Sequence, residues 1–126
     1  MPNSKLKMKL ETHIKNNIRM AEIVAEEILI NSIEDGAQLL VDLYYQDFDR
    51  IILYEKNITP LFFDLKNGIA GEILQKFSNF RVRVAIVGDF EKYESKSVKD
   101  FIFESNKNRQ INFVSNLEEG LGKLSN

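Results

Sequence analysis

The chain has 126 residues, no cysteine and a net charge of −2 at pH 7, which excludes a disulfide framework, a thiolate metal site and the strongly basic surface of a nucleic-acid binder. Apolar residues make up 44%, enough at this length to bury a core within one domain, residues 1–126. No run approaches the roughly 20 apolar residues that span a bilayer, and Lys5, Lys7 and Lys9 interrupt the N-terminal apolar residues, so the expected setting is the cytoplasm, without membrane contact.

Leu6, Met8, Leu10, Thr12 and Ile14 alternate with polar residues, which predicts a half-buried strand. Asn16-Asn17 offers a tight hairpin, because asparagine tolerates positive φ. Ile18 to Val24 is the second strand. Ser32 is a good N-cap with Asp35 three residues on, and helix one runs over 33–46 with Ile33, Ala37, Leu40, Val41 and Tyr44 at helical spacing. The apolar run 50–54, "RIILY", reads as a central strand covered on both faces. Thr59-Pro60 breaks it off, and Ile69, Ile73, Leu74 and Phe77 mark helix two. A further buried strand covers 81–89. Ser97 and Asp100 cap helix three, which turns Val98, Phe101 and Ile102 inward. The last strand is 111–115, and Asn116 and Glu119 cap helix four, with Leu117, Leu121 and Leu124 on one stripe. The order is β-β-α-β-α-β-α-β-α. It predicts an α/β fold: a five-stranded, largely parallel sheet with right-handed crossovers and an N-terminal antiparallel hairpin.

Charge is uneven. Residues 21–49 carry eight acids and no lysine or arginine, whereas residues 1–20 carry five bases against Glu11. Such asymmetry fits a partner surface as well as ordinary solvated faces. The lone histidine, His13, falls on the polar side of strand one with no triad-like neighbour, and reads as a surface residue. No nucleophile elbow, phosphate-binding loop, dinucleotide fingerprint or H-E-x-x-H pattern occurs, and no catalytic residue is assigned. Glu55, Asp64 and Asp89 fall at or beyond strand C-terminal ends, where open sheets bind ligands. Acids are common there, so no metal and no cofactor is assigned.

Two glycines of only six, Gly68 and Gly71, stand at the entrance of helix two in "FFDLKNGIAGEIL". A helix start presents free N–H groups and a positive dipole, and glycines let an anion or another backbone come close. The competing reading is close packing of helix two on strand three. Leu61, Phe62 and Phe63 are three adjacent apolar residues on a short turn, so one of them is expected at the surface.

The stretch "RIILYEKNITPLFFDLKNGIAGEIL" resembles the central motif of STAS domains, the anti-sigma-factor-antagonist family, which includes SpoIIAA-like proteins. Asp64 falls where that family has its aspartate, and Gly68 and Ile69 where it has its glycine and leucine. "RVRVAIVGD" and "FVSNLEEGLGKL" are similar to the strand after helix two and to the closing strand and helix. More closely, "RIILYEKNITPLFFDLKNGIAGEILQKFSNFRVRVAIVGDF" and "KSVKDFIFESN" resemble a bacterial family, domain of unknown function 4180, over nearly the whole chain. That likeness implies a small stand-alone protein and no particular activity. The likeness to STAS domains implies a regulatory scaffold, with one departure. Leu65-Lys66-Asn67 replaces the segment that bears the phosphorylatable serine. It is one residue longer and has no hydroxyl.

Three readings follow. The first is a non-catalytic regulatory module that binds an unknown protein partner. The second is a binder, or weak enzyme, for an anionic or phosphorylated small molecule. The third is a homodimer building block through strand one. The residues expected at a partner or ligand site are Glu55, Lys56, Asn57, Thr59, Asp64, Lys66, Asn67, Gly68, Gly71 and Asp89.

Overall fold

A computed structural model describes residues 8–126. The strands are β1 (Met8–Lys15), β2 (Ile18–Ala25), β3 (Arg50–Tyr54), β4 (Arg83–Val87) and β5 (Ile111–Val114). The helices are α1 (Ile33–Tyr44), α2 (Ile69–Asn79), α3 (Lys96–Asn108) and α4 (Leu117–Leu124). The fold is α/β with the expected element order. The start expected for strand one at Leu6 lies outside the described residues.

The five strands lie side by side in chain order. β1 and β2 are antiparallel, and the other neighbouring pairs are parallel. Each crossover therefore moves in the same direction along the sheet, and α1, α2 and α3 share one face, as connections of one hand require. Alternate strand residues meet them there: Ala21, Ile23, Ile51, Leu53, Val84, Ile86, Ile111 and Phe113 join Leu40, Leu43, Ile73, Phe77 and Val98 in one core. The intervening residues Met20, Ile52, Ala85, Val87 and Val114 face the other way, under Leu121 and Leu124 of α4. The central strands are buried on both faces, as their unbroken apolar runs require.

The hairpin turn is Asn16-Asn17, both residues left-handed at φ 55° and 67°. The expected caps of α1 and α4 form: Ser32 accepts from the Asp35 N–H, and Asn116 from the Glu119 N–H. Several boundaries differ from expectation: strand two runs one residue further, to Ala25, strand four ends at Val87 rather than 89, and the last strand ends at Val114 rather than 115. Helix one stops at Tyr44 rather than 46, because Asp47 turns left-handed (φ 68°). Strand four starts at Arg83 rather than 81, since Arg81 is left-handed (φ 58°). Helix three is capped by Ser95, not Ser97: the Ser95 hydroxyl accepts from the Val98 N–H at 3.4 Å. The earlier start makes Lys96 helical and lets it reach Asp100 at 2.8 Å, four residues on.

Between β3 and α2 the chain makes three 3₁₀ turns, Glu55–Asn57, Pro60–Phe63 and Leu65–Asn67, which periodicity does not signal. The buried Asn57 holds this segment down. Its side-chain amide donates to the carbonyls of Ala25 and Glu27, and its backbone carbonyl accepts from the N–H groups of Leu29 and Ile30.

Candidate functional site

The ten expected site residues do not form one site. Glu55, Lys56 and Asp89 gather where β3 and β4 end. Asn57 and Thr59 are buried; Thr59 caps the Pro60–Phe63 turn by accepting from the Leu61 N–H. Asp64, Lys66, Asn67, Gly68 and Gly71 lie exposed at the entrance of α2.

At the strand ends, the Glu55 carboxylate accepts from the Tyr93 hydroxyl at 2.6 Å and from the Asp89 N–H at 3.2 Å, and pairs with Lys92 at 2.9 Å. The Tyr93 ring stacks on Phe63, centroids 4.7 Å apart. Segment 88–93 thus folds over the end of β3, and Gly88 permits it. A Cβ on Gly88 would stand 2.5 Å from Glu55 Oε1 and 2.6 Å from Glu55 Cβ. Burial, reinforced by the Glu55 hydrogen bond and charge, pushes the Tyr93 phenol up, so it holds its proton. A hollow of about 360 Å³ remains beside this cluster, lined by Ile28, Lys56, Ile58 and Pro60 among others. A wider cleft of about 830 Å³ opens between the ends of β4 and β5 and α3, at Asp89, Phe90, Lys99, Phe103 and Ser115. Among the described residues, no three histidines or carboxylates gather closely enough to hold a metal ion.

At the entrance of α2, Phe62 and Phe63 turn inward and Leu61 turns out, 54% exposed. That is the division expected for three adjacent apolar residues on a tight turn. Gly68 is left-handed at φ 80°, a conformation that glycine adopts without cost. Gly71 is different. A Cβ there would meet nothing within 4 Å, so close packing on strand three does not account for it. Asn67 closes the entrance itself: its Oδ1 accepts from the Ile69 N–H at 2.9 Å, and its amide donates to the Leu61 carbonyl at 2.8 Å. Lys66 is exposed and has no ion-pair partner among the described residues.

A third cluster corrects the reading of His13. The imidazole is not a plain surface group: Nε2 lies 2.8 Å from Glu22 Oε1, and the Tyr54 hydroxyl donates to Glu22 Oε2 at 2.6 Å. Glu22 is only 8% exposed. The partners are nine residues away across a hairpin and on a third strand, so no short spacing reveals them. The signal available was Glu22 itself, an acid inside the apolar run of β2. Tyr93 and Lys92 were missed for the same reason, since only the fold over β3 brings them to Glu55.

Burial first, then the hydrogen bond to Glu22 and its charge, raise the Tyr54 phenol to about 12. The folded state thus favours the protonated phenol. The stability it contributes is complete below pH 10, the unfolded value, and is lost as the pH rises toward 12. A spectrophotometric titration should show a tyrosine component near pH 12 that Tyr54→Phe removes. An unchanged titration curve in that variant would refute the assignment.

No helix among the described residues is long and apolar enough to cross a membrane. No curated protein matches the chain. The family described as Domain of unknown function (DUF4180) matches residues 15–124, so the chain belongs to that family.

Proposed function

We propose that the protein is a non-catalytic, cytoplasmic interaction module with a STAS-like scaffold, which docks a bacterial protein partner through Leu61 and the Asp64–Gly71 segment. The observation that carries this reading is the exposed Leu61, tied to the entrance of α2 by the bond from the Asn67 amide to its carbonyl. Where STAS domains carry a phosphorylatable serine, Asn67 occupies the Ile69 N–H with its own carboxamide. The surface is thereby fixed in one state, without a phosphate switch. Two further features favour binding over catalysis. The strand order never reverses among the parallel strands, so the cleft at the ends of β4 and β5 does not stand at a topological switch point, where doubly wound sheets bind their ligands. The strand-end carboxylate of Glu55 is taken up by Tyr93, Lys92 and the Asp89 N–H.

The test uses Leu61→Asp with Gly71→Arg. Both positions are open to solvent, whereas Gly68 would be strained by any side chain at its φ. Affinity capture with mass spectrometry should recover a partner with the wild type and lose it with the double variant, and the purified pair should reproduce the difference. Equal recovery by a folded double variant refutes the proposal. A thermal-shift panel of nucleotides and sugar phosphates separates the small-molecule alternative. A ligand at 100 times its dissociation constant adds about 2.7 kcal/mol, and such a shift abolished by Lys66→Ala would favour an anion site at α2 instead.

A further inference from the structure

We infer that β1 pairs antiparallel with β1 of a second copy of this chain, about a two-fold axis at Thr12, to extend the sheet into a continuous ten-stranded dimer. β1 is an edge of the sheet, and its outer side has no partner among the described residues.

Which backbone groups face outward follows from the hairpin. A two-residue loop with both residues left-handed is a type I′ turn. Its flanking pair, Lys15 and Ile18, exchanges hydrogen bonds, and bonded pairs then alternate along the ladder. Lys9, Glu11, His13 and Lys15 point their backbone groups at β2. Met8, Leu10, Thr12 and Ile14 point theirs away from it.

A two-fold at Thr12 matches this set to itself. Thr12 meets Thr12, and Leu10 of one copy meets Ile14 of the other, so the outward N–H and C=O groups meet one another. Directly opposite residues share a face and stand about 5 Å apart. Ile14 is 69% exposed, and the leucine of the other copy covers it. On the opposite face, Glu11 of one copy falls beside His13 of the other. Opposite charge or a charge-assisted hydrogen bond joins them there. His13 keeps its bond to Glu22 through Nε2, and the imidazolium form, with an N–H on each nitrogen, leaves Nδ1 to donate to the Glu11 carboxylate of the other copy. At the rim, Lys9 of one copy opposes Lys15 of the other. Lysines on an edge normally discourage pairing, but Lys9 is held by its own Glu11 at 3.1 Å.

The experiment is sedimentation of the full chain over a concentration series, combined with single-cysteine crosslinking. The chain has no cysteine of its own, so a disulfide reports only the introduced position. Thr12→Cys places two thiols across the axis at about 5.5 Å between Cα atoms, within disulfide range. It should crosslink faster under mild oxidation than Ser97→Cys on exposed α3. Thr12→Pro removes an outward N–H while leaving the ladder to β2 intact, and should weaken the dimer about ten-fold or more. Ile14→Lys gives a second disruption at an exposed side chain, where folding is unaffected. A chain that stays monomeric at its highest soluble concentration overturns the inference. So does crosslinking through Leu10→Cys in preference to Thr12→Cys, which would place the axis elsewhere.

Discussion

Phe62→Ala is expected to cost about 3–5 kcal/mol, whereas Leu61→Ala next to it should change stability by no more than about 0.5 kcal/mol. Phe62 is 1% exposed, in edge-to-face contact with Phe63 at 5.0 Å and within the core formed with α2. Its truncation leaves a cavity that surrounding side chains fill only partly. Leu61 stands mostly in water, and its loss removes little contact. A small domain has about 5–15 kcal/mol in total, so Phe62→Ala brings the protein near unfolding. Urea denaturation of both variants measures the difference, read at unchanged slope. Similar midpoints would mean that the Pro60–Phe63 turn is not oriented as described, and would withdraw Leu61 from the proposed docking surface. If the orientation holds, Leu61→Ala weakens partner capture while melting like the wild type.

Gly88→Ala is the second large effect, at about 1–3 kcal/mol. The added methyl meets Glu55 Cβ at 2.6 Å as well as the carboxylate. A rotamer change moves the carboxylate but cannot move Cβ, so the backbone where β3 and β4 end must separate. The bond from Tyr93 to Glu55 then breaks. Tyr93→Phe should therefore cost about 1 kcal/mol in the wild type and much less on top of Gly88→Ala, which a double-mutant cycle measures. Full additivity would show that the strap over β3 does not depend on the Gly88 approach.

The scaffold was readable because its signals are local. Alternation in β1, the apolar run of β3, the Ser32 and Asn116 caps and the Asn16-Asn17 turn each depend on a few adjacent residues, and each formed. Ser95 and Ser97 both precede the apolar positions of α3, and only the Lys96–Asp100 pair and the Val98 N–H distinguish them in three dimensions. The sites were less readable because their partners are distant in sequence. Glu55 is 38 residues from Tyr93, and Glu22 is 32 from Tyr54. Gly68 and Gly71 drew attention by their spacing, yet Gly88 is the glycine that close approach demands. Its neighbours in sequence say nothing of the glutamate it must clear.

The unreversed strand order also bears on how the molecule comes into being. Order in space equals order along the chain, so each new strand finds its partner already made as synthesis proceeds, and no strand waits for a later one to be inserted beside it. The face with α1, α2 and α3 closes progressively. The other face does not: Met20, Ile52, Ala85 and Val114 share a cover that, among the described residues, comes chiefly from α4. An apolar strip across four strands therefore stays wet until the last eight helical residues arrive. A nascent chain stalled before Leu117 would hold a nearly finished sheet with one sticky side, the state in which it is most exposed to chaperones and to its own copies.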